Sequence, residues 1–242
     1  MKVLALYTGT HLGGLALLEG ESLLAEVLLE MHRTHSERLL PTLEDLLHRL
    51  GRRDWRPDLV AVAHGPGAFT SLRIGVTAAK AMAYGWKVPV QGVSTLDAIA
   101  FGLRQSARPV LILLGAREEE VYAGYYEPAP EETELGHLRP AREPVCLPLS
   151  EALQGVAPEA LIVGEGIEHY QKEIVARLGG GVQFADAAAA WCHPSAVGIL
   201  ALRRQRQRPV SKESAFELAP LYLRRSAPER RMVREQLAER SS

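Results

Sequence analysis

The stretch DLVAVAHGPGAFTSLRIG, Asp58 to Gly75, joins a run of small and β-branched residues to a glycine-flanked turn and the opening of a helix. Its first half reads as a buried strand, and Gly65-Pro66-Gly67 reads as the strand-to-helix turn. Glycines there permit positive φ and close backbone approach, and the free N–H groups of the following helix face outward. Gly65, Pro66, Gly67 and Thr70 are therefore a candidate anion or nucleotide turn. The plainer alternative is a tight connection with Thr70 or Ser71 as N-cap and no ligand.

Upstream, KVLALY (2–7) reads as a buried strand, and Thr8-Gly9-Thr10 as a turn into LGGLALLEG and ESLLAEVLLE, a β-meander. Ser36 offers an N-cap for a helix in which Leu39, Leu40, Leu43, Leu46, Leu47 and Leu50 recur at i, i+3, i+4 and i+7. They cover one arc of about 120°, the width of a single core-facing stripe. Pro41 marks either the true start or a kink. Downstream, a second helix runs to about Gly85, KVPVQGVS is a short strand, and Thr95 to Leu103 a third helix. The order βββαβαβα specifies a mixed sheet flanked by helices, the ribonuclease H-like half of an actin-like fold.

A second α/β lobe is expected over residues 107–214, with residues 1–106 as the first. VLILLGA and VYAGYYE are strand-like and joined by the charged tip Arg117-Glu118-Glu119-Glu120. Pro128 to Pro148, dense in Pro and Glu, reads as a loop broken by one short strand near Val145. ALIVGEG is a strand and SAVGILALRRQRQ a helix.

The helix after the turn has an unusual wheel. Residues 72–84 at 100° intervals put Arg73, Thr77, Lys80 and Tyr84 on one narrow stripe. Leu72, Ile74, Val76, Ala78, Ala79, Ala81, Met82 and Ala83 fill the remainder, so the helix needs cover on more than one side. Gly75, Ala79 and Ala83 fall four apart and would let another helix approach closely. That cover comes either from the fold itself or from a subunit interface.

Composition narrows the function. The chain has 242 residues, 47% apolar, with formal net charge −1. That is enough to bury a sizeable core, and it supplies no global basic field for nucleic acid or anionic lipid. Cys146 and Cys192 fit neither a disulfide framework nor a zinc knuckle, which favours a reducing compartment. The N-terminal run, broken by Thr8, Gly9 and Thr10, reads as neither signal peptide nor spanning helix, so a cytoplasmic location is expected. His32 and His35 sit at a strand-to-helix junction without positioned ligand partners, and read as surface or capping histidines rather than a metal site. Gly164-Glu165-Gly166 resembles half a nucleotide turn, but Glu165 would repel phosphate. Arg203, Arg204, Arg206 and Arg208, with Arg224, Arg225, Arg230 and Arg231, form two basic clusters, read as solvated faces with RNA contact as the alternative. No G-x-S-x-G elbow, Walker loop or H-E-x-x-H motif occurs.

GPGAFTSLRIG (65–75) resembles the GPGSFTGLRIG signature of the bacterial tRNA threonylcarbamoyladenosine biosynthesis protein TsaB family, also called YeaZ. HSERLLPTLEDLL (35–47), VSTLDAIA (93–100), EVYAGYY (120–126) and PLYLRR (220–225) are similar to further family segments in family order. The resemblance covers essentially the whole chain. It implies a two-lobed actin-like ATPase fold of the acetate kinase/Hsp70/actin superfamily, with C-terminal residues around 215–230 returning to the first lobe. It also implies pairing through the first two long helices, with a second copy or with the catalytic paralogue TsaD. With the ATPase TsaE, such an assembly threonylcarbamoylates N6 of adenosine 37 in tRNAs that read ANN codons, the metal and the chemistry residing in TsaD.

Two departures bear on function. The family's LAIDTAT start is here LALYTGT, so Tyr7 replaces the acid that ends the first strand, and Gly115 in GAREEE replaces the acid of a DAR-type start. Superfamily ATPases use such acids for metal and phosphate, and a phenol, neutral at pH 7, cannot replace one. Ala68 and Ser71 also stand where the signature has Ser and Gly. The expectation is a non-catalytic scaffold without cofactor or metal, binding TsaD through Ser36, Leu39, Leu40, Leu43, Leu47, Arg73, Ile74, Val76, Ala79 and Ala83. Arg73 and Lys80 are placed at the rim or facing solvent. TsaE joins through the complex, tRNA is contacted indirectly, and a homodimer is the form taken alone. The competing reading is an ATP-dependent phosphotransferase using the interlobe cleft.

Overall fold

The computed structural model describes residues 1–30, 35–116, 120–165 and 167–224. β1 (Lys2–Tyr7), β2 (Leu12–Glu19) and β3 (Ser22–Glu30) form the antiparallel meander, followed by α1 (His35–Arg49), β4 (Leu59–Gly65), α2 (Phe69–Trp86), β5 (Val90–Ser94) and α3 (Thr95–Gly102). β4 pairs parallel with β1, and β5 parallel with β4, giving the order β3-β2-β1-β4-β5. Strand alternation divides the sheet's apolar residues between two cores. Val3, Ala5 and Tyr7 of β1 and Leu59, Ala61 and Ala63 of β4 face one; Leu4, Leu6, Val60 and Val62 face the other.

The second lobe opens with β6 (Val110–Gly115) and β7 (Glu120–Thr133), then β8 (Gly136–Pro140), β9 (Val145–Pro148), the short α4 (Leu149–Ala152), β10 (Leu161–Val163), α5 (Gln171–Leu178) and β11 (Gln183–Phe184). Its sheet order is β11-β10-β6-β7-β8, with β9 also paired to β7. The chain then forms α6 (Pro194–Gln207) and the short α7 (Ser214–Glu217). The result is the two-lobed actin-like arrangement of mixed sheets flanked by helices.

Several expectations are corrected. α6 lies on β1, β2, β4 and β5 and against α3, so it belongs to the first lobe, and the second lobe ends before Pro194 rather than at residue 214. Val197, Leu200, Ala201 and Leu202 fill the core shared by both sheets, and a Cβ on Gly198 would stand 2.5 Å from Leu18. The reason is geometric. The inner face of the first sheet needs a second helix beside α3, and no earlier segment supplies one.

The stretch expected as a loop from Pro128 is instead the continuation of β7 and its hairpin with β8, closed by Thr133 Oγ1, which donates to Leu138 O (2.6 Å). Pro128 sits in register with Leu138, and Pro140 ends β8. α1 begins at His35, so Pro41 lies inside it rather than at its start. The side chain of Ser36 lies outside the described residues, as do Arg117, Glu118, Glu119 and Gly166.

Gly75 is where α2 presses on the turn that leaves β1. A Cβ there would stand 2.1 Å from Thr8 Oγ1, and that hydroxyl is buried and already donates to Ser71 O (2.8 Å). Overpacking of this kind costs about 1–3 kcal/mol. Gly75→Ala should therefore lower the unfolding free energy by that amount, seen as a lower urea midpoint with an unchanged slope; an unchanged midpoint would mean α2 can ride off Thr8 freely.

Candidate functional site

α2 presents three flanks. Toward the sheet it turns Leu72, Gly75, Val76, Ala79 and Ala83, all buried. The small-residue row expected to admit a foreign helix thus seats α2 on its own strands. Val76, Ala79 and Ala83, with Leu39 and Leu43 of α1, belong to the chain's own outer core rather than to a partner face. Periodicity located this arc but does not say which surface covers it.

The second flank carries Arg73, Lys80 and Tyr84 of the polar stripe, and it is occupied. Arg73 Nε donates to the Tyr222 hydroxyl (3.0 Å), and the guanidinium lies 4.1 Å from the Phe69 ring centre. Phe69 stacks on Tyr222 at 5.1 Å. Lys80 Nζ donates to Leu218 O (2.9 Å), and Tyr84 meets Phe216 edge-on at 6.0 Å. Arg73 and Lys80, expected at the rim or facing solvent, hold the chain's own residues 214–224 against the helix.

The third flank, turned outward, carries Thr70, Ile74, Thr77, Ala78 and Ala81. Ile74 and Ala78 are half-buried and the others exposed. On neighbouring α1, Leu40 is 53% exposed and Leu47 half-buried. Among the residues expected at the interface, Leu40, Ile74 and the exposed part of Leu47, which also packs against the outer core, thus remain available to a partner.

The Gly65-Pro66-Gly67 turn is filled from two sides. Gly65 has φ +131°, and a Cβ there would stand 2.6 Å from Leu221 O. A Cβ on Gly67 would stand 2.4 Å from Gly9 O, which accepts from the Ala68 N–H at 2.7 Å. Leu221 N–H donates to His64 O (2.7 Å). The glycines admit backbone of the same chain. Ala68 stands at the N-cap position without a side-chain bond, so the cap expected of Thr70 or Ser71 is not made.

Between the lobes, Tyr7 is buried in the shared core and its hydroxyl donates to Thr10 Oγ1 (3.1 Å). Burial pushes the phenol well above its ordinary range; Cys192 and Glu165 push further while the Thr10 bond opposes. His11 Nδ1 lies 2.8 Å from Glu165 Oε1, linking the first turn to the second lobe. Of the arginines expected as solvated faces, Arg206 and Arg208 are exposed, whereas Arg203, Arg204 and Arg224 are half-buried and tied inward. Arg204 Nη2 bridges Asp97 of α3 and Glu134 of the β7–β8 turn, each at 2.7 Å, and Asp97 also accepts from the Tyr126 hydroxyl (2.9 Å). Arg203 pairs with Glu21 and Glu132, Arg206 with Glu21, and Arg224 with Glu120 at 2.6 Å. Charge counting alone could not show this, because the partners are distant in sequence. Arg225, Arg230, Arg231, His32 and the side chain of His35 lie outside the described residues.

Among the described residues, no group of three or more His, Cys, Asp or Glu side chains is placed to hold a metal ion, and no helix is long and apolar enough to cross a membrane.

Residues 23–231 match the family model described as TsaD, tRNA N6-adenosine threonylcarbamoyltransferase. The tRNA threonylcarbamoyladenosine biosynthesis protein TsaB of Haemophilus influenzae is 32% identical over 232 residues, 93% of this chain and 94% of that protein. The protein of the same name from Bacillus subtilis is 33% identical over 127 residues, 52% of this chain and 56% of that one. The solved structure of YeaZ from Pseudomonas aeruginosa aligns with TM-score 0.73 at 29% identity, covering 92% of this chain and 99% of that one.

One contact between β3 and α6 should set a pH dependence. Glu26 accepts from His193 Nδ1 (3.1 Å) and from the Ser195 N–H (2.7 Å) at the start of α6. Burial pushes the Glu26 carboxyl up, but these bonds outweigh it and hold it below its ordinary range; the bond to Glu26 raises His193. The His193 contribution is complete below the ordinary value of 6.5 and is lost as pH rises through the raised value. That of Glu26 is present above its ordinary 4.5 and lost as pH falls through the lowered one. Because the histidine is half-exposed, the pair contributes less than about 1 kcal/mol. Between about pH 6 and pH 8.5 the wild-type melting temperature should fall relative to that of His193→Asn, by at most about 2–4 °C. Parallel curves would show that the pair contributes nothing to stability.

Proposed function

Since the chain belongs to the TsaB (YeaZ) family, we propose that it serves tRNA threonylcarbamoyladenosine biosynthesis as a non-catalytic scaffold that binds and stabilises a TsaD-type transferase. The observation that carries this reading is the outward flank of α1 and α2. Leu40, Leu47, Ile74, Ala78 and Ala81 form an apolar surface without an acid or base among them. Two helices of a partner could lie close against such a surface, with buried apolar area providing the affinity.

The interlobe site supports the non-catalytic half of the proposal. Tyr7 is packed into the core with its hydroxyl bonded to Thr10, so the end of β1 offers no carboxylate to a metal-bound phosphate. Arg203, Arg204 and Arg206 are held in ion pairs, which favours indirect rather than direct tRNA contact. A TsaE-type ATPase joins through the complex, the same helical face pairs two copies when TsaD is absent, and the cytoplasm is the setting. This reading assigns the chain no cofactor of its own.

Ala81→Glu would bury an unpartnered carboxylate at the contact and should weaken binding to the TsaD-type protein at least about a hundredfold, roughly 3 kcal/mol, with an unchanged melting temperature. Ala79→Glu, placed in the core, should unfold the first lobe instead. Reconstitution of the tRNA modification with TsaD and TsaE should lose activity without this chain and with Ala81→Glu. Full activity without it, or an undiminished complex with Ala81→Glu in size-exclusion chromatography, would overturn the proposal.

A further inference from the structure

The signature stretch Gly65–Gly75 and the C-terminal PLYLRR segment, far apart in sequence, meet along one flank of α2, and neither the core nor the outward face requires that meeting. From Ser214 to Arg224 the chain is pinned at each step. Ser214 Oγ donates to Val90 O (3.0 Å) and accepts from Val90 N–H (3.1 Å). Leu218 O accepts from Lys80, and Ala219 O lies 3.1 Å from His64 Nδ1. Leu221 crosses the Gly65 turn on a backbone bond to His64, and Tyr222 lies on Phe69 and Arg73. Arg224 then leaves the first lobe and pairs with Glu120, the first residue of β7.

We infer that residues 214–224 are a strap that couples α2 mechanically to the second lobe, and that Gly65, Gly92 and Arg73 are its seat. Three observations carry this. First, the seat fits backbone: a side chain on Gly65 would strike Leu221 O, and one on Gly92 would come within 2.7 Å of Leu218. Second, much of the strap lies at the surface and is held there by polar and aromatic pins. Phe216 is 71% and Tyr222 45% exposed, and only Ala215, Leu218 and Leu223 of the strap reach the cores. Third, its two ends are anchored to different lobes, at Val90 and at Glu120. A displacement of α2's flank therefore reaches β7 through one short extended segment, and β7 is the central strand that pairs with β6, β8 and β9. Other ties between the lobes, among them Arg204, the Arg203–Glu132 and His11–Glu165 pairs and the Tyr126–Asp97 bond, are made by residues outside α2.

The partner arm of this inference rests on the scaffold reading above: covering the outward flank of α2 would steady the strap and, through it, the start of β7. The strap itself does not depend on that reading. Hydrogen-exchange mass spectrometry on the full chain tests it alone. Tyr222→Ala removes the ring and hydroxyl that seat the strap, and should raise exchange at least about tenfold both in residues 218–224 and in 120–126, while β1 and β4 stay protected. Glu120→Gln should loosen the same two segments from the other end. Faster exchange confined to 218–224 in Tyr222→Ala would overturn the coupling. If Tyr222→Ala unfolds the chain, Tyr222→Phe, which keeps the stack and loses the hydroxyl, should loosen the same two segments at smaller amplitude, and faster exchange confined to 218–224 would again overturn the coupling.

With the TsaD-type partner added, wild type should gain protection in α2 and in 120–126, and Glu120→Gln in α2 only. Equal gains in both proteins at 120–126 would also overturn the coupling. Absence of protection at α2 in both would count against the scaffold reading and leave the result on the isolated chain standing.

Discussion

Everything in this molecule follows from a sheet that must be covered on both faces. β1 and β4 are apolar at every position from Val3 to Tyr7 and from Leu59 to Ala63, so water can be tolerated on neither side. α1 and α2 cover the outer face, and α3 and α6 the inner. The inner pair is at the same time the floor of the second sheet, whose Val110, Ile112 and Leu114 enter the same core. The lobes are therefore three layers of one packed body on that side. Arg204 stands at the seam, bonded to an acid from each lobe.

The local part of this architecture was legible from the sequence because it is written in short-range periodicity. The meander, the leucine stripe of α1, the strand ending at Gly65 and the helices α2 and α3 each show their own repeat. What was not legible depends on partners distant in the chain. SAVGILALRRQRQ reads as a helix, but nothing within it names the sheet it covers. β8 is short and ends at Pro140, and its register is set by β7 rather than by its own alternation. At the candidate site, the wheel of α2 separated the polar stripe from the apolar arc correctly as a pattern. It could not say that the arc is mostly internal or that the stripe is met by Leu218 and Tyr222. Only the outward positions, Leu40, Leu47 and Ile74 among those named, survive as surface.

Tyr7 also gains a physical meaning. A carboxylate at position 7 would need a cation or several donors to be tolerated inside the shared core. A phenol fills the space with apolar ring and needs one acceptor, which Thr10 supplies. Gly115, by contrast, is exposed, and a side chain there would meet nothing among the described residues, which give no packing reason for its glycine.

The placement of α6 has a consequence for how the chain is made. Strands β1 to β5 leave the ribosome long before the helix that covers their inner face, and that helix is separated from them by the entire second lobe. Until about residue 207 has emerged, Val3, Ala5, Leu18 and Ala61 have only α3 above them. The first lobe is thus a domain that cannot close in order of synthesis. It waits, with a half-covered apolar sheet, for the last part of its own sequence, and the nascent chain is at its stickiest through most of translation.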